Sequence, residues 1–464
     1  MHIIDIIVLA ITLFVIVLVG YLSSKNTNDA KEFLTAGRSL NKLQAGFSLA
    51  ATDFGGSGMV AAIGYCYLMG LGGMWWDLAA APAFIFVGLF LAKKLNHLDG
   101  GTVPEYLGQR YCPAAKYISA AMHICTDIAS LSAQFTISSA MLEQVAGVDH
   151  TIALLISLIL TVLLTSGGLR AVVNTDATLF IVIVATVVIC VPVALNAGGG
   201  LANMTSALPE GFMSPGSIGF VEPLSWFFMC TLGYATSQGY VQRMSSAKDE
   251  GTATFAAFFT AGFYLVISIC LGLIGVAGAY LMPGVEDTNT VFPKLLMEFF
   301  PKGLLGLGVA GVFAATISTG TSKLHATTIL LISDLVKPLS KNKLSDKAEL
   351  WLSRAIVCVL PFASLVLSMY STNIINILYT AGLFYSTAVF IPMFVGMYSK
   401  KPTAKGGVVA ILGTTIFALA WEYGLSGLIP VVGVLPSNLM GVIFGLVALF
   451  TVSAIDRKNH LQKI

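Results

Sequence analysis

Charge is what this sequence lacks. Only 10% of its 464 residues are Asp, Glu, Lys or Arg, where a soluble globular chain carries about 25%, and that deficit excludes an ordinary water-soluble domain. Neither sign is in excess: 25 basic against 23 acidic residues leave a formal charge of +2. No basic surface for nucleic acid and no acidic tail for a partner is indicated. Cysteines number seven, an odd count with no C-x-x-C pair, so neither a disulfide framework nor a zinc site is suggested. What is present instead is apolar length. Hydrophobic residues make up 56% of the chain, with a mean hydropathy of +0.85. Their runs of about 20 residues match a hydrocarbon core of about 30 Å crossed at 1.5 Å per residue. The chain reads as an all-α polytopic membrane protein forming one domain over 1–464.

Apolar runs between charged or Gly/Pro breaks predict spans near 3–22, 45–69, 74–94, 115–146, 152–167, 174–195, 222–242, 254–282, 303–333, 350–370, 373–397, 405–425 and 436–455. About thirteen spans place the termini on opposite sides. The first run carries only Asp5 as a charge, with no basic n-region and no cleavage site before Lys25, so it reads as a retained span. Direction follows from the basic residues, because short loops rich in Lys and Arg stay cytoplasmic. One set of loops and the C-terminal tail holds Lys25, Lys31, Arg38, Lys42, Lys93, Lys94, Arg110, Lys116, Arg170, Arg243 and Lys248. The same set holds Lys337, Lys341, Lys343, Lys347, Arg354, Lys400, Lys401, Lys405, Arg457, Lys458 and Lys463. The opposite loops hold only Lys294 and Lys302, and Lys323 falls inside a span. The N-terminus is expected outside and the C-terminus inside.

Polar groups within spans point to function, since an ionisable side chain there costs about 2.5–3.5 kcal/mol on insertion scales and faces a partner, a cavity or a pathway. Asp53, Asp77, Asp127, Asp176, Lys323 and His325 are such groups. Asp77 and Asp176 also suit interfacial anchoring, and Asp53 and Asp127 suit a buried pair with Lys323. In the second span, Ala50-Ala51-Thr52-Asp53-Phe54-Gly55-Gly56-Ser57-Gly58 sets three glycines and an aspartate in a long apolar segment. Each interior glycine costs a helix about 1 kcal/mol against alanine, so a break is expected, with freed carbonyls able to hold a cation. Gly233-Tyr234-Ala235-Thr236-Ser237-Gln238-Gly239 repeats the pattern five spans later. Two related five-span halves follow from that spacing; close helix packing is the plainer use of the same glycines. Ala315-Thr316-Ile317-Ser318-Thr319-Gly320-Thr321-Ser322 then offers five hydroxyls, with Ala315, Ser318, Thr319 and Ser322 near one face. Hydroxyls and freed carbonyls are the oxygens a Na⁺ ion takes, although a membrane Ser or Thr also bonds its own preceding turn. Gly55-Gly56-Ser57-Gly58 has a passing likeness to a serine nucleophile segment. A nucleophile needs a base in reach, and the deep histidines His123 and His325 form no recognisable pairing, so no enzyme is expected.

These residues together resemble the sodium/solute symporter family. Gly37-Arg38-Ser39-Leu40 looks like that family's entry signature, and Ala51-Thr52-Asp53-Phe54 resembles its Ala-Ser-Asp-Met. Gly167-Gly168-Leu169-Arg170-Ala171-Val172-Val173-Asn174-Thr175-Asp176 is similar to Gly-Gly-x-x-Ala-Val-x-x-Thr-Asp, and Tyr240-Val241-Gln242-Arg243 to its Gln-Arg. The resemblance implies a LeuT fold: a 5+5 inverted repeat with an extra helix at 3–22, repeat one at 45–195, repeat two at 222–397 and flanking helices at 405–455. It implies Na⁺-coupled uptake of a small polar solute by alternating access in the plasma (cell inner) membrane, with no obligate protein partner. By position, sodium site one uses the carbonyls of Ala51, Phe54 and Ala315 with the hydroxyls of Ser318 and Thr319. A second sodium site, present in part of the family, uses Asp176, Ser318, Thr321 and Ser322, so one or two Na⁺ ions couple each cycle.

Lys323 departs from the family pattern and stands as a coupling or pairing residue, either in place of a cation near Asp176 or paired with Asp53. The expected solute site comprises Asp53, Gly55, Ser57, Asp77, Asp127, Ser130, Ser237 and Gln238. Ser130 replaces the arginine of sialic acid relatives, and Asp77 stands where sugar-binding relatives carry Glu or Gln. Acids outnumber bases there, which favours an amino acid or amine; a sugar, monocarboxylate or vitamin remains open. So does a H⁺-coupled or Na⁺-independent carrier of the same fold, with Lys323 or Asp53 titrating.

Overall fold

The computed structural model describes residues 1–25, 29–98, 101–341, 344–370, 374–429 and 433–461. Lys343, Lys463 and the first residue of the span expected near 373 lie outside the described residues. Helices account for nearly all regular structure, and among the described residues the sheet-like pairing is the bridge between Leu40 and Ala247.

In chain order the principal helices are α1 (Ile3–Ser24), α2 (Lys42–Asp53), α3 (Ala62–Met69), α4 (Ala80–Phe90), α5 (Val103–Arg110), α6 (Pro113–Ala146), α7 (His150–Thr165) and α8 (Gly168–Ala197). They continue with α9 (Val221–Thr236), α10 (Gln238–Ser245), α11 (Glu250–Leu281), α12 (Leu304–Ile329), α13 (Asp346–Val359) and α14 (Pro361–Tyr370). The last four are α15 (Ile374–Phe384), α16 (Ser386–Tyr398), α17 (Ala404–Tyr423) and α18 (Ser437–Leu461). By length and composition, 8 of the helical runs among the described residues can cross a membrane, or 9 with the pair Leu378–Phe384 and Ser386–Tyr398, which meet at 41°. The other expected spans are broken, short or polar.

Local chemistry sets the ends. Asn41 and Gln44 form a reciprocal capping box at the start of α2, satisfying donors that a helix start leaves open. Proline occupies the first turn of α6, and Gly147, at φ +65°, ends it; both placements follow from what those residues can adopt. Asp5, the lone charge in α1, accepts from the backbone of Gly303 at 2.6 Å and Gly306 at 3.1 Å. It therefore caps the start of α12 from another helix.

Burial separates centre from periphery. In the most apolar stretch of Leu304–Leu339, 83% of residues are buried, against 17% in α1. Thus α12 is the axis of the bundle while α1 turns apolar side chains such as Ile7, Ile11 and Phe14 outward. Helices α2, α6 and α8 pack on α12, and α11 packs on α2 and α4, so α12 from Gly308 onward is enclosed by other helices.

Candidate functional site

Two helices stop inside the bundle. Helix α2 ends where Phe54 takes φ −75° and ψ 77°. The Phe54 N–H still reaches the Ala50 carbonyl at 3.0 Å, while the Gly55 N–H folds back to Asp53 at 2.8 Å. Among the described residues the Ala51 carbonyl is thereby left without an N–H from beyond the helix end, and the Thr52 carbonyl accepts from the Thr319 hydroxyl at 2.9 Å. The chain resumes as a π-helical turn at Ser57–Ala61 before α3. Glycine is required here for space: a Cβ on Gly55 would lie 2.8 Å from Thr319 Oγ1, and one on Gly56 2.5 Å from Thr316 Cγ2. Close packing and the break are therefore one device.

The second interruption falls at Ser237, extended at φ −71° and ψ 128° between α9 and α10. Its hydroxyl accepts from Lys323 Nζ at 2.8 Å. One residue on, the Gln238 N–H donates to His123 Nε2 at 3.1 Å.

The hydroxyls of α12 divide into two sets. Thr316, Ser318 and Thr321 donate to carbonyls three residues earlier on their own helix, at 3.0–3.1 Å. Thr319 and Ser322 instead cross to α2, where Ser322 Oγ lies 2.9 Å from Thr52 Oγ1. Thr319 meets Thr52 at this crossing of α2 and α12, with Ala51 and Phe54 at the adjoining end of α2 and Ala315 and Ser318 within the preceding turn of α12. The Ser318 and Thr319 hydroxyls spend their hydrogens on carbonyls and keep lone pairs, so these oxygens suit a hard monovalent cation.

Two ion pairs lie beside it. Lys323 Nζ is 3.2 Å from Asp127 Oδ1, and Thr327 donates to the other oxygen at 3.2 Å. Of the partners open to Lys323 in the sequence, the structure selects Asp127, neither Asp53 nor Asp176. Arg243 is fully buried and pairs with Asp176 at 3.1 Å; it also donates to Ser322 at 2.5 Å, Ser48 at 3.1 Å and the Gly239 carbonyl at 3.0 Å. Its place after a broken span reads as a loop charge, yet the guanidinium folds inward because Asp176 and three neutral acceptors satisfy it there. Asp176 and Ser322 therefore surround an arginine, while Ser318 and Thr321 bond locally.

Between the interruptions lies a cavity. Asp53, Ser57, Asp77, Ser130 and Ser237 line it, with Thr319 and Lys323. Three expected solute contacts do not. Gly55 is packed beneath Thr319 and Gln134. Asp127 is turned to Lys323 and His123. Gln238 extends away from the cavity, donating to the Gly101 carbonyl at 2.6 Å and accepting from the Val103 N–H at 3.4 Å, because the turn before α5 offers it a donor and an acceptor. The cavity's walls also include Trp76 and Tyr234, together with three residues the sequence reading missed, Tyr240, Tyr264 and Gln134. Polar rings in otherwise apolar spans are a signal for such residues, but depth alone does not tell which way they turn.

Residues 33–413 match the family model described as the Sodium:solute symporter family. The osmoregulated proline transporter OpuE of Bacillus subtilis (strain 168) is 24% identical, over 95% of this chain and 94% of that protein. The high affinity choline transporter 1 of Homo sapiens is 24% identical over 88% and 75%. The sodium/pantothenate symporter of Escherichia coli (strain K12) is 24% identical over 89% of each. A solved structure of a Na⁺-coupled sialic acid symporter superposes with a TM-score of 0.87 at 19% identity, covering 98% of both chains. Inward-facing Mhp1 superposes at 0.55 and 15% identity, covering 89% of this chain and 91% of that one. With the family model matched from before α2 into α17, the chain belongs to the sodium:solute symporter family, and its fold is that of the LeuT-type secondary transporters.

Proposed function

We propose that the chain carries an amino acid or amine into the cell with Na⁺, across the plasma (cell inner) membrane, by alternating access around the cavity between the two interruptions. The carrying observation is the Ala51 carbonyl left open at the end of α2, next to the Thr319 hydroxyl that bridges to Thr52. In this reading Ala51, Phe54, Ala315, Ser318 and Thr319 hold the coupling ion. One Na⁺ per cycle is the stoichiometry we infer, since Arg243 supplies the positive charge that Asp176 and Ser322 would otherwise offer a second ion. Thirteen passes with the N-terminus outside, in two halves at 45–195 and 222–397, complete the reading; the distribution of Lys and Arg supports that direction.

A H⁺-coupled carrier of the same fold is the second reading, favoured by one observation: Lys323 already provides a cation at the cavity. Proteoliposomes with imposed gradients separate the two. Uptake driven by an inward Na⁺ gradient at equal pH, with a Na⁺ activation slope near one, is the expected result. Uptake driven by a pH gradient and indifferent to Na⁺ would replace it with the second reading, and a slope near two would restore the second ion.

A further inference from the structure

Buried carboxylates elsewhere in the molecule have partners. Asp5 takes backbone N–H groups, Asp127 has Lys323 and Asp176 has Arg243. Asp334 faces Lys116 at 3.5 Å, Glu349 pairs with Lys337 at 2.7 Å, and Asp456 with Lys405 at 2.9 Å. Asp77 stands apart. It is 5% exposed, makes no ion pair or side-chain hydrogen bond among the described residues, and its Oδ2 is closed off from solvent without a partner. Asp53 lines the same cavity; the phenols of Tyr234, Tyr240 and Tyr264 surround it and Lys323 acts on it from beyond ion-pair distance, but its Oδ2 also lacks a partner and among the described residues no cation forms an ion pair with it. Both cationic side chains buried nearby, Lys323 and Arg243, are committed to other acids. Two carboxyl groups thus face the cavity without a paired cation, and a carboxylate in a low-dielectric interior takes up either a proton or a cation.

One coupling Na⁺ at the end of α2, immediately beside Asp53, offsets part of their charge. The remainder lies at Asp77, where a cationic solute can supply the charge. We propose that the transported solute is an organic cation, an amine or quaternary ammonium carrying no carboxylate, with its charge held at Asp77 and Asp53. Aromatic faces support this assignment: Trp76 lines the cavity, buttressed by Tyr65 at 5.3 Å and Trp226 at 5.7 Å between ring centres, and such faces attract desolvated cations. A zwitterion fits less well, because its carboxylate would compete with Asp127 and Ser237 for Lys323. A neutral polyol can donate hydrogen bonds to Asp77 but leaves its charge uncompensated. This inference rests on the Na⁺-symport reading above and narrows its solute class.

Thermal stability of the purified protein in NaCl and in KCl tests it, with choline, ethanolamine, putrescine, proline, glucose and lactate as probes. Dimethylbutanol, the uncharged carbon isostere of choline, is the control for shape. Binding to the native state raises its stability by mass action. A cationic probe is expected to stabilise the protein in NaCl, with dimethylbutanol weaker than choline by about tenfold or more in apparent affinity. Asp77→Asn should lose that discrimination and Asp77→Glu keep it; the wild-type comparison stands even if neither variant folds. Proline, glucose, lactate or dimethylbutanol binding as tightly as every cation, or no cation binding at all, would overturn the proposal. If the shift between KCl and NaCl persists in those cases, only the solute assignment fails; if no Na⁺ shift occurs with any probe, the symport reading fails with it.

Discussion

The two interrupted helices use the same sequence device and end differently. At the first, glycines bring α12 so close that its hydroxyls meet the end of α2, and a backbone carbonyl stays open. At the second, the exposed groups are already taken: Ser237 holds the ammonium of Lys323, and the Gln238 N–H is held by His123. A broken helix offers polar backbone in either case, but only the neighbouring helix decides whether that polarity awaits an ion or is satisfied by a tethered charge. The first interruption is thus suited to a mobile cation and the second to a fixed one.

The largest effect is expected from removing the fixed cation. Lys323→Met leaves Asp127 buried without its partner, a change that costs about 3–5 kcal/mol when one member of a buried pair is lost. Denaturation in detergent should show that loss, and the double variant Lys323→Met/Asp127→Leu should recover most of it; a single variant as stable as the parent would erase the contrast. Ser237→Ala and Thr319→Ala sharpen it further. Ser237→Ala removes a hydrogen bond from a charged donor, worth about 1.5–3 kcal/mol, and should leave Na⁺-induced stabilisation unchanged. Thr319→Ala removes a neutral bond worth about 1 kcal/mol, yet should raise the Na⁺ concentration for half-maximal stabilisation by about five- to tenfold. Equal Na⁺ responses from the two variants would show that the interruptions are not specialised.

The smallest effect lies outside both interruptions. Asp249 caps α11 by accepting from the Thr252 N–H at 2.7 Å, and that bond holds its carboxyl below the ordinary carboxylate value. A depressed folded value means the contribution is complete above the unfolded carboxylate pKa of about 3.9 and is lost as pH falls through the folded one. Asp249→Ala should slightly lower the melting temperature at neutral pH, with the gap to the parent closing under acid. Na⁺ and solute responses should not move. A gap that persists unchanged at low pH would remove the cap from the account.

Much of this architecture was legible in the residues. The runs that became α8 and α12, the interruption near Asp53 and the crowding of hydroxyls after Ala315 all follow from composition along the chain. Asp53, Ser57, Asp77, Ser130 and Ser237 were expected at a solute site and line one cavity. Arg243 and Gln238 show where such reading stops. Arg243 follows a broken span and looks like one more basic loop residue, but it is buried against Asp176, 67 positions away in the chain. Gln238 sits in a polar break and looks cavity-facing, but a backbone carbonyl 137 positions away claims it.

The sequence by itself determined which long segments are helical, that Asp53, Asp77, Asp127, Asp176 and Lys323 lie within apolar spans, and the two glycine-flanked breaks near Asp53 and Ser237, because those depend on hydropathy, periodicity and glycine content within a few turns. Only the tertiary structure decided which buried charges neutralise one another. Asp127 rather than Asp53 received Lys323, and Asp176 received Arg243, because pairing depends on the rotation and approach of helices distant in the chain. That choice left Asp77 and Asp53 facing the cavity without a cation.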